Sequence, residues 1–366
     1  MKFGKKETPL GKHGKMSKFE CFSKERILVT GHTGFKGTWL CKYLEILGAE
    51  VYGYSLEPAK ESLNQMMKRS FVTHEVIGDI NDKDRLASFI EQVNPSIVFH
   101  LAAQPLVRRS YTNPIETFQT NVLGSIHVFD SALKSKNIKG VVAVTTDKVY
   151  ENNGSGAAFL EGDPKGGHDP YSASKAAMEM AIDAWRFFFD QNGAKLVSAR
   201  AGNVIGAGDR SEDRLLPDII GALIAKKIVT VRNPTSIRPW QHVLEPLYGY
   251  LLIAERMLLN QTLSTAYNFG PSQDSHISVM EVANKAIEIW KSEAKVMVQK
   301  NDCSIDLPEA GILVLNSELA QKELRWPSKF DAHSAIEMTI KGEIRLQNNL
   351  ADDVIEEQIR NYLGVL

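Results

Sequence analysis

The chain has 366 residues, of which 43% are hydrophobic and 24% are charged. These proportions are typical of a globular protein with a full apolar core, and they exclude disorder along the whole chain. The 43 basic and 44 acidic side chains leave a formal net charge of −1, so we expect no nucleic acid partner. No apolar run reaches the roughly 18 to 20 residues that a membrane-spanning helix needs, so we also expect no membrane insertion.

The N-terminal segment and the cysteines bear on the location of the protein. Residues 1–24 are rich in lysine but contain no apolar stretch of the kind that a secretory signal needs. We expect a basic, disordered tail there, and a true start at Met16 is the alternative. Cys21, Cys41 and Cys303 are far apart and lack the spacing of a zinc site or a redox pair. We therefore expect no metal site and a cytoplasmic location.

From residue 25 onward, short β-branched runs alternate with longer amphipathic segments, which predicts parallel strands joined by crossover helices. The fold class indicated is α/β, with a doubly wound parallel sheet of the Rossmann type at 25–200. Beyond residue 200 the alternation breaks up, which predicts that residues 201–366 form mainly a smaller C-terminal ligand-binding lobe over the carboxyl edge of the sheet. The strands are expected at 26–30, 51–55, 75–79, 97–102, 141–146 and 196–201.

A glycine-rich loop follows the first predicted strand. Gly31, Gly34 and Gly37 have a GxxGxxG spacing at the start of a predicted helix. Glycine lets the backbone approach a pyrophosphate, and the start of a helix supplies N–H donors. Because a strand precedes the loop and a helix follows it, the pattern predicts dinucleotide binding. The expected contacts are Gly31, Thr33, Gly34, Phe35, Lys36 and Gly37.

The ends of the second and third strands bear on the choice of cofactor. An acidic residue that binds the adenosine ribose is expected after the second strand, but Ser55 occupies that position and Glu57 follows. Because no arginine follows at once to bind a 2′-phosphate, NAD is favoured over NADP. Asp79 and Ile80 are expected beside the adenine. The alternative role for Asp79 is to cap the next helix.

Tyr171 and Lys175 lie four residues apart on a predicted helix, so their side chains share a face. A free tyrosine has a pKa of about 10, but a lysine ammonium and a positive nicotinamide would stabilise its phenolate. The fifth strand ends nearby at Thr146, whose hydroxyl would share the proton relay with Tyr171. The alternative role of Thr146 is a cap on the next turn.

These residues together resemble the extended short-chain dehydrogenase/reductase family that acts on nucleotide sugars, and the resemblance covers nearly everything from residue 25 to the C-terminus. Within that family, five stretches are similar to the branch of 4,6-dehydratases that acts on CDP-glucose. The last of them is long and unusual, which makes the match specific. The stretches are GHTGFKGTWL, HLAAQPLVRRSY, TTDKVY, RAGNVIGAGD and NPTSIRPWQHVLEPLYGY.

The resemblance implies a lyase that converts CDP-glucose to CDP-4-keto-6-deoxyglucose through bound NAD, in deoxysugar synthesis for surface polysaccharide. Family members commonly pair through the helices that start near Tyr171 and Ile115, so a homodimer or homotetramer is expected. A 4,6-dehydratase or 4-epimerase for another nucleotide sugar stays open. So does a non-catalytic, cofactor-sensing protein, although a sensor has no use for the relay of Tyr171 and Lys175.

The resemblance also implies roles for the individual motif residues. Thr146, Tyr171 and Lys175 become the hydride-transfer set, and Asp147 and Lys148 become the elimination pair. Related 4,6-dehydratases have a glutamate base where this chain has Lys148. A lysine with an ordinary pKa of about 10.4 is protonated at neutral pH. Lys148 is therefore either a base with a depressed pKa or an electrostatic stabiliser of the enolate.

Further residues are expected around the ligands. The resemblance places the backbone after the fourth strand beside the nicotinamide, and it makes Asn121 a polar prop within the fold. Arginine has a planar fork that suits phosphate oxygens, so arginines in the lobe are expected to bind the substrate's diphosphate. The expected nicotinamide contacts are Ala102, Ala103 and Gln104. The expected substrate contacts are Arg200, Asn203, Asp209, Arg214, Arg232, Arg238 and His242.

Overall fold

The computed structural model describes residues 18–152, 154–272, 275–299 and 313–364. Short β-branched runs form its strands, and each predicted strand is found within two residues at either end. The strands are β1 (Arg26–Thr30), β2 (Glu50–Ser55), β3 (His74–Ile77), β4 (Ile97–His100), β5 (Gly140–Val144), β6 (Lys195–Ala201), β7 (Asn203–Ile205), β8 (Val229–Val231), β9 (Ile237–His242), β10 (Ala266–Phe269), β11 (His276–Ser278) and β12 (Val296–Val298).

Longer amphipathic segments form the helices between the strands. They are α1 (Phe35–Ile46), α2 (Leu63–Met66), α3 (Lys83–Val93), α4 (Val107–Thr112), α5 (Pro114–Phe118), α6 (Ser125–Ala132), α7 (Pro170–Gln191), α8 (Leu215–Ile224), α9 (Leu244–Leu258), α10 (Val279–Trp290), α11 (Glu318–Leu324), α12 (Ala332–Leu346) and α13 (Ala351–Leu363). A π-helix at Gln119–Gly124 joins α5 to α6. None of the helices in the described ranges combines the length and apolarity that a membrane crossing would need.

Seven of the described strands form one sheet in the order β10, β6, β5, β4, β1, β2, β3, and neighbouring strands are parallel throughout. The predicted doubly wound α/β class is confirmed. Because β1 pairs with β2 on one side and with β4 on the other, the strand order reverses there. Ligands of open α/β sheets bind outside the carboxyl ends of the strands at such a point.

Helices cover both faces of this sheet. Side chains along a strand alternate between its faces, so Ile27 packs in one apolar core and Leu28 packs in the other. Helices α1 and α9 contribute to the first core, and α3, α6 and α7 contribute to the second. A third core lies in the lobe, where β7, β9 and β11 form a small sheet, α10 and α12 pack against it, and α8 packs on α10 and β8.

The part of the chain after residue 200 does not lie entirely in the lobe. Helix α9 packs on β5 and β6, and β10 extends the main sheet beside β6. Both elements follow residue 200 but belong to the sheet half of the molecule. They do so because α9 is apolar over most of its length, with Leu247, Leu251 and Ile253 buried. Helices α11 and α13 also pack in the first core of the sheet half, so the lobe consists of the segments from β7 to β9 and from β11 to β12, together with α12.

The expected N-terminal tail also ends earlier than residue 24. Phe19 and Phe22 are buried, and the ring of Phe19 lies 5.3 Å from that of Tyr248. The backbone N–H of Phe19 donates to a carboxylate oxygen of Glu255 at 2.9 Å. Residues 18–24 therefore belong to the fold because their two aromatic rings fill the core. The remainder of the expected tail, and Cys303, lie outside the described residues.

Candidate active site

The glycine loop between β1 and α1 turns close beneath the backbone that follows β4. Gly31 has a φ of 74°, and a Cβ at this position would lie 2.8 Å from the amide nitrogen of Ala102. A Cβ on Gly37 would collide with the carbonyl of Gly31, so both positions require glycine. Gly34 precedes α1 without a side chain that could cap it. The first N–H groups of the helix are thus available to an anion, and the loop fits the diphosphate of a dinucleotide.

The end of β2 is joined to this loop by hydroxyl groups. The hydroxyls of Thr33 and Ser55 lie 2.8 Å apart, and Thr33 donates to the carbonyl of Leu56 at 2.9 Å. Both side chains are buried. Ser55 therefore lies at the sheet edge with its hydroxyl held by the loop itself, and its contact with a ribose stays a prediction.

The end of β3 carries Asp79 on the surface. Its carboxylate accepts hydrogen bonds from the backbone and side-chain nitrogens of Asn81, at 2.9 and 3.0 Å. The alternative role as a helix cap is wrong, because Asp82 caps α3 by accepting from the N–H of Arg85. Ile80 is buried, so the two residues differ in what they can offer a ligand. The adenine contact of Asp79 stays a prediction.

The backbone after β4 is braced by Asn121 from the π-helix. The Asn121 amide accepts from the N–H of Gln104 at 2.8 Å and donates to its carbonyl at 3.1 Å. It also donates to the hydroxyl of Ser174 on α7 at 2.9 Å, which is the role of a prop. The Gln104 side chain is itself bonded to Leu106 and Thr117. Ala102 and Ala103 are half-buried, so this segment presents small side chains and backbone to the crevice.

Tyr171 and Lys175 lie on the buried face of α7, which begins at Pro170. The Lys175 ammonium donates to the carbonyl of Val144 at 3.3 Å, at the end of β5. Burial lowers the pKa of Lys175 to about 8. Burial also raises the pKa of Tyr171 to about 12, although a hydrogen bond with Thr146 opposes this rise. The expectation that the lysine lowers the tyrosine pKa is therefore not met by Lys175 alone.

Thr146, Asp147 and Lys148 follow β5 as the start of a 3₁₀ turn. The Thr146 hydroxyl donates to Asp147 Oδ1 at 2.8 Å and accepts from the N–H of Lys148 at 3.3 Å. It therefore caps this turn, and its interaction with Tyr171 opposes the rise in the pKa of that tyrosine. The Lys148 ammonium lies 3.6 Å from Asp147 Oδ1. The expected elimination pair is thus one ion pair beside the expected relay.

Lys36, in the first turn of α1, is affected by charges on both sides of the crevice. Burial lowers its pKa to about 7, and the charges of Arg214 and Lys175 lower it further, while those of Asp147 and Asp209 oppose the change. These four partners come from the sheet half and from the lobe. The pKa of Lys36 is thus sensitive to charges of both the sheet half and the lobe, and its contact with the cofactor stays a prediction.

A cleft with a volume of about 350 Å³ opens between the carboxyl edge of the sheet and the lobe. One wall carries the expected catalytic residues Thr146, Asp147, Lys148 and Tyr171. The opposite wall brings together most of the expected substrate contacts. They are Asn203, Asp209, Arg214, Arg232 and Arg238.

Arg200 and His242 do not reach this cleft, and their expected substrate contacts are corrected. Arg200 is 1% exposed, and two of its nitrogens bond to the carboxylate of Glu179 at 2.8 Å each. His242 is fully buried between the rings of Trp39 and Phe330. Its burial lowers the pKa of His242 to about 3, so the ring is neutral. Both residues therefore lie in the interior of the fold, away from the cleft surface.

The cleft also contains residues that the sequence analysis did not select. Arg108 and Tyr111 reach it from α4, and Asp213 reaches it from the loop before α8. The available signal was the position of Arg108, eight residues after β4 ends, on the edge where the sheet binds ligands. For Asp213 no local signal existed, because an acidic residue in a polar loop is ordinarily a solvated one.

Comparison with known proteins agrees with this geometry. The NAD dependent epimerase/dehydratase family matches residues 27–270. A CDP-glucose 4,6-dehydratase of Salmonella typhimurium is 41% identical over 325 residues, which are 87% of this chain and 90% of that protein. The relationship therefore extends over both the sheet and the lobe.

Two solved structures show how widely the fold is shared. The UDP-glucose 4-epimerase of Thermus thermophilus, in complex with NAD, has a TM-score of 0.74 and 23% identity, covering 87% of this chain and 99% of that one. The dTDP-glucose 4,6-dehydratase of Bacillus anthracis, in complex with NAD, has a TM-score of 0.72 and 20% identity, covering 88% and 97%. At these identities the likeness concerns the fold. Taken with the family match and the 41% identical relative, it leads to one conclusion: the chain belongs to the NAD dependent epimerase/dehydratase family.

Proposed function

We propose that the protein is a CDP-glucose 4,6-dehydratase, a lyase that removes water from the sugar of CDP-glucose and yields CDP-4-keto-6-deoxyglucose. The observation that carries the proposal is the meeting of Thr146, Asp147, Lys148 and Tyr171 on one wall of a cleft whose other wall carries arginines. The 41% identity with the Salmonella enzyme supports CDP-glucose as the substrate. When bound, NAD supplies the acceptor for a hydride from carbon 4 and the donor of a hydride to carbon 6.

Tyr171 acts on the hydroxyl at carbon 4. In its phenolate form, Tyr171 takes the proton of that hydroxyl, and Thr146, whose interaction with Tyr171 favours the phenolate, holds the sugar oxygen beside it. Lys175 has a pKa of about 8, so it is mostly protonated at neutral pH. Its positive charge stabilises the phenolate from below, at the end of β5.

Asp147 and Lys148 act in the elimination. Once carbon 4 is a ketone, the proton at carbon 5 becomes acidic. Either Lys148 removes it as a neutral amine, or a partner group removes it while the Lys148 ammonium stabilises the enolate that forms. Asp147 gives a proton to the departing hydroxyl of carbon 6, so that water leaves. It first receives that proton from the Lys148 ammonium of the ion pair, which leaves Lys148 as the neutral amine that can accept the carbon 5 proton. The separation of 3.6 Å between the two charged groups supports a shared role. The Lys148 side chain is 25% exposed and can therefore reach the sugar, whereas the Asp147 side chain is buried, at 4% exposed.

The lobe holds the nucleotide diphosphate. Arg214, Arg232 and Arg238 face the cleft, and a guanidinium matches phosphate oxygens in charge and shape. Asn203 and Asp209 supply neutral and acidic groups to the same wall. Holding the diphosphate there places the attached sugar toward the opposite wall, where Tyr171 lies.

We also propose a homodimer in the cytoplasm. Six large apolar side chains are exposed on α5, the π-helix and α7, which pack side by side. An exposed apolar area of this kind ordinarily marks a protein contact. The free thiols of Cys21 and Cys41 support a reducing compartment. The exposed side chains, here called the helical face, are Ile115, Phe118, Leu123, Met180, Phe187 and Phe188.

The test is to mix the purified protein with NAD⁺ and each of CDP-glucose, UDP-glucose and dTDP-glucose. A 4-keto sugar absorbs after addition of alkali, and the product of dehydration is lighter than its substrate by one water. We expect product from CDP-glucose. Product from UDP-glucose or dTDP-glucose alone would overturn the substrate, and an epimerised product of unchanged mass would overturn the dehydration.

A further inference from the structure

A carboxylate lies between two arginines at the cleft. Asp213 Oδ1 is 3.4 Å from the guanidinium of Arg108 and 3.8 Å from that of Arg232. Arg108 belongs to α4 in the sheet half, and Arg232 follows β8 in the lobe. One oxygen atom therefore bridges the two walls. All three side chains line the cleft and are between 36% and 49% exposed.

The two ion pairs of Asp213 are weak enough for a ligand to displace them. Both separations are longer than the roughly 2.8 Å of a close charge-assisted hydrogen bond, and exposed ion pairs of this kind contribute little stability. Asp213 also has a φ of 58°, which few residues other than glycine, asparagine and aspartate adopt readily. A local turn, rather than the ion pairs, thus fixes where the carboxylate stands.

The other two acidic residues near Asp213 do not form the same bridge between arginines. Glu212 and Asp218 line the same cleft, but neither has a described ion pair with an arginine in the part of the chain covered by the structure. Burial raises the pKa of Asp218, and the charges of Arg232 and Arg108 oppose that rise. Both arginines therefore act on the same small region, and Asp213 is the acid that lies nearest to the two of them.

We propose that Arg108 binds the diphosphate of the substrate together with Arg232, and that the Asp213 carboxylate occupies their binding position until the diphosphate displaces it. The inference rests on the proposed function in one respect, which is that the ligand is a nucleoside diphosphate sugar. A diphosphate carries at least two negative charges where Asp213 carries one, so it attracts both guanidinium groups more strongly. Binding thus exchanges an internal anion for an external one.

The exchange predicts opposite effects of two substitutions. Arg108→Gln removes a cation that the diphosphate uses, so the NAD-loaded enzyme should bind CDP about tenfold more weakly. Asp213→Asn removes the competing anion and retains a residue that tolerates the same backbone conformation, so CDP should bind up to about fivefold more tightly. Cytidine lacks the phosphates, and its affinity should not change in either variant. Isothermal titration calorimetry measures all of these affinities.

Two matched controls separate this exchange from a general effect of charge. Arg109 is the next residue after Arg108, but it pairs with Glu116 at 2.7 Å and does not line the cleft. Arg109→Gln should leave the affinity for CDP unchanged. Glu212→Gln removes a neighbouring negative charge from the cleft, and it should tighten CDP binding less than Asp213→Asn does.

A double variant completes the test. If Asp213 acts by holding Arg108, the gain from Asp213→Asn should shrink when Arg108 is already glutamine, which is a measurable coupling between the two positions. Unchanged CDP affinity in Arg108→Gln would overturn the inference, and so would weaker binding in Asp213→Asn. If the wild-type enzyme binds UDP and not CDP, the proposed substrate has failed. The same comparison with UDP then still decides the role of Arg108.

Discussion

Tyr171 and Lys175 experience the same burial with opposite consequences for their charges. Burial favours the neutral form of each, which raises the pKa of the tyrosine to about 12 and lowers that of the lysine to about 8. Bringing a tyrosine from a pKa of about 12 to one near 7 takes roughly 7 kcal/mol of differential interaction. Lys175 does not supply this on its own. The phenolate must therefore gain its stabilisation from charges that arrive with the ligands.

Replacing Tyr171 by phenylalanine tests the relay. The substitution preserves the ring and its packing but removes the phenolic oxygen that, in the proposed mechanism, accepts the proton of the carbon 4 hydroxyl. We expect a loss in kcat of about a hundredfold or more, with NAD affinity little changed. Steady-state turnover of CDP-glucose and a separate titration with NAD⁺ measure the two quantities. Near-normal turnover would show that Tyr171 is not the base.

Replacing Lys148 by alanine separates oxidation from elimination. Thr146, Tyr171 and Lys175 remain in place, so carbon 4 should still be oxidised while the elimination stalls. We expect reduced cofactor to accumulate on mixing with CDP-glucose, seen as a rise in absorbance, with little solvent deuterium entering carbon 5. If Lys148 only braces the diphosphate, the variant should bind substrate more weakly and exchange deuterium normally at saturation. Full turnover at saturating substrate would remove Lys148 from the mechanism.

Sequence reasoning located one wall of the site better than the other. The glycine loop and the pair Tyr171 and Lys175 have fixed spacings within single elements, so the residues themselves carry the signal. Arg200 looks like a phosphate ligand by type and position, yet its partner Glu179 lies on another element. Whether an arginine meets a carboxylate of the fold or a phosphate depends on contacts that no local pattern records. Arg108 and Asp213 could not be predicted for the same reason, because their contacts join distant elements.

At the scale of the elements, helix α9 is connected to the segment before α12 through a buried carboxylate. Glu245 is 1% exposed, and one of its oxygens accepts from the backbone N–H groups of Lys329 and Phe330, at 3.0 Å each. Its backbone carbonyl accepts from the indole of Trp326 at 2.8 Å. Burial raises the pKa of Glu245 from 4.5 to about 7, against the effect of these hydrogen bonds.

This pKa predicts a pH dependence of stability. Between pH 4.5 and 7 the folded chain keeps the Glu245 proton and the unfolded chain does not, so the free energy of unfolding should fall as the pH rises through that window. The shift corresponds to roughly 3 kcal/mol at most. Glu245→Gln retains the accepting oxygen and has no such proton to lose. Denaturant unfolding at pH 5 and pH 8 measures the difference in the free energy of unfolding between the variant and the wild type. This difference should shift in favour of the variant at pH 8, and an equal difference at both pH values would refute the raised pKa of Glu245.

The element boundaries show a second limit of sequence reasoning. The six predicted strands were found because each is a short β-branched run with turn residues on both sides. Strand β10 was not assigned to the main sheet, because its pairing with β6 joins residues more than sixty positions apart. Phe19 and Phe22 were likewise assigned to the tail, since a few aromatic residues after a lysine-rich stretch give no sign of the core that receives them.

For the whole molecule, the helical face predicts the assembly. Phe187 is 64% exposed on α7 and Ile115 is 74% exposed on α5. A two-fold axis brings a face against its own copy, so a charge placed there meets itself. Phe187→Lys should give a monomer by light scattering at micromolar concentration, with the fold retained because the site is exposed. Met297→Lys, at an exposed position on β12 in the lobe, should leave the dimer intact, and a monomeric wild type would contradict the prediction.

The return of α9 and β10 to the sheet has a mechanical consequence. The chain passes from the sheet half to the lobe after β6, comes back at α9 and β10, and leaves again toward β11. A swinging motion would have to bend all of these passages together, whereas small sliding of packed helices would not. The lobe should therefore move little relative to the sheet half, because several stiff chain connections join the two along the cleft. The fold chiefly fixes the width of the cleft. Exchanges of ion-pair partners at the edge of the cleft must therefore do the work that a domain movement does in other enzymes.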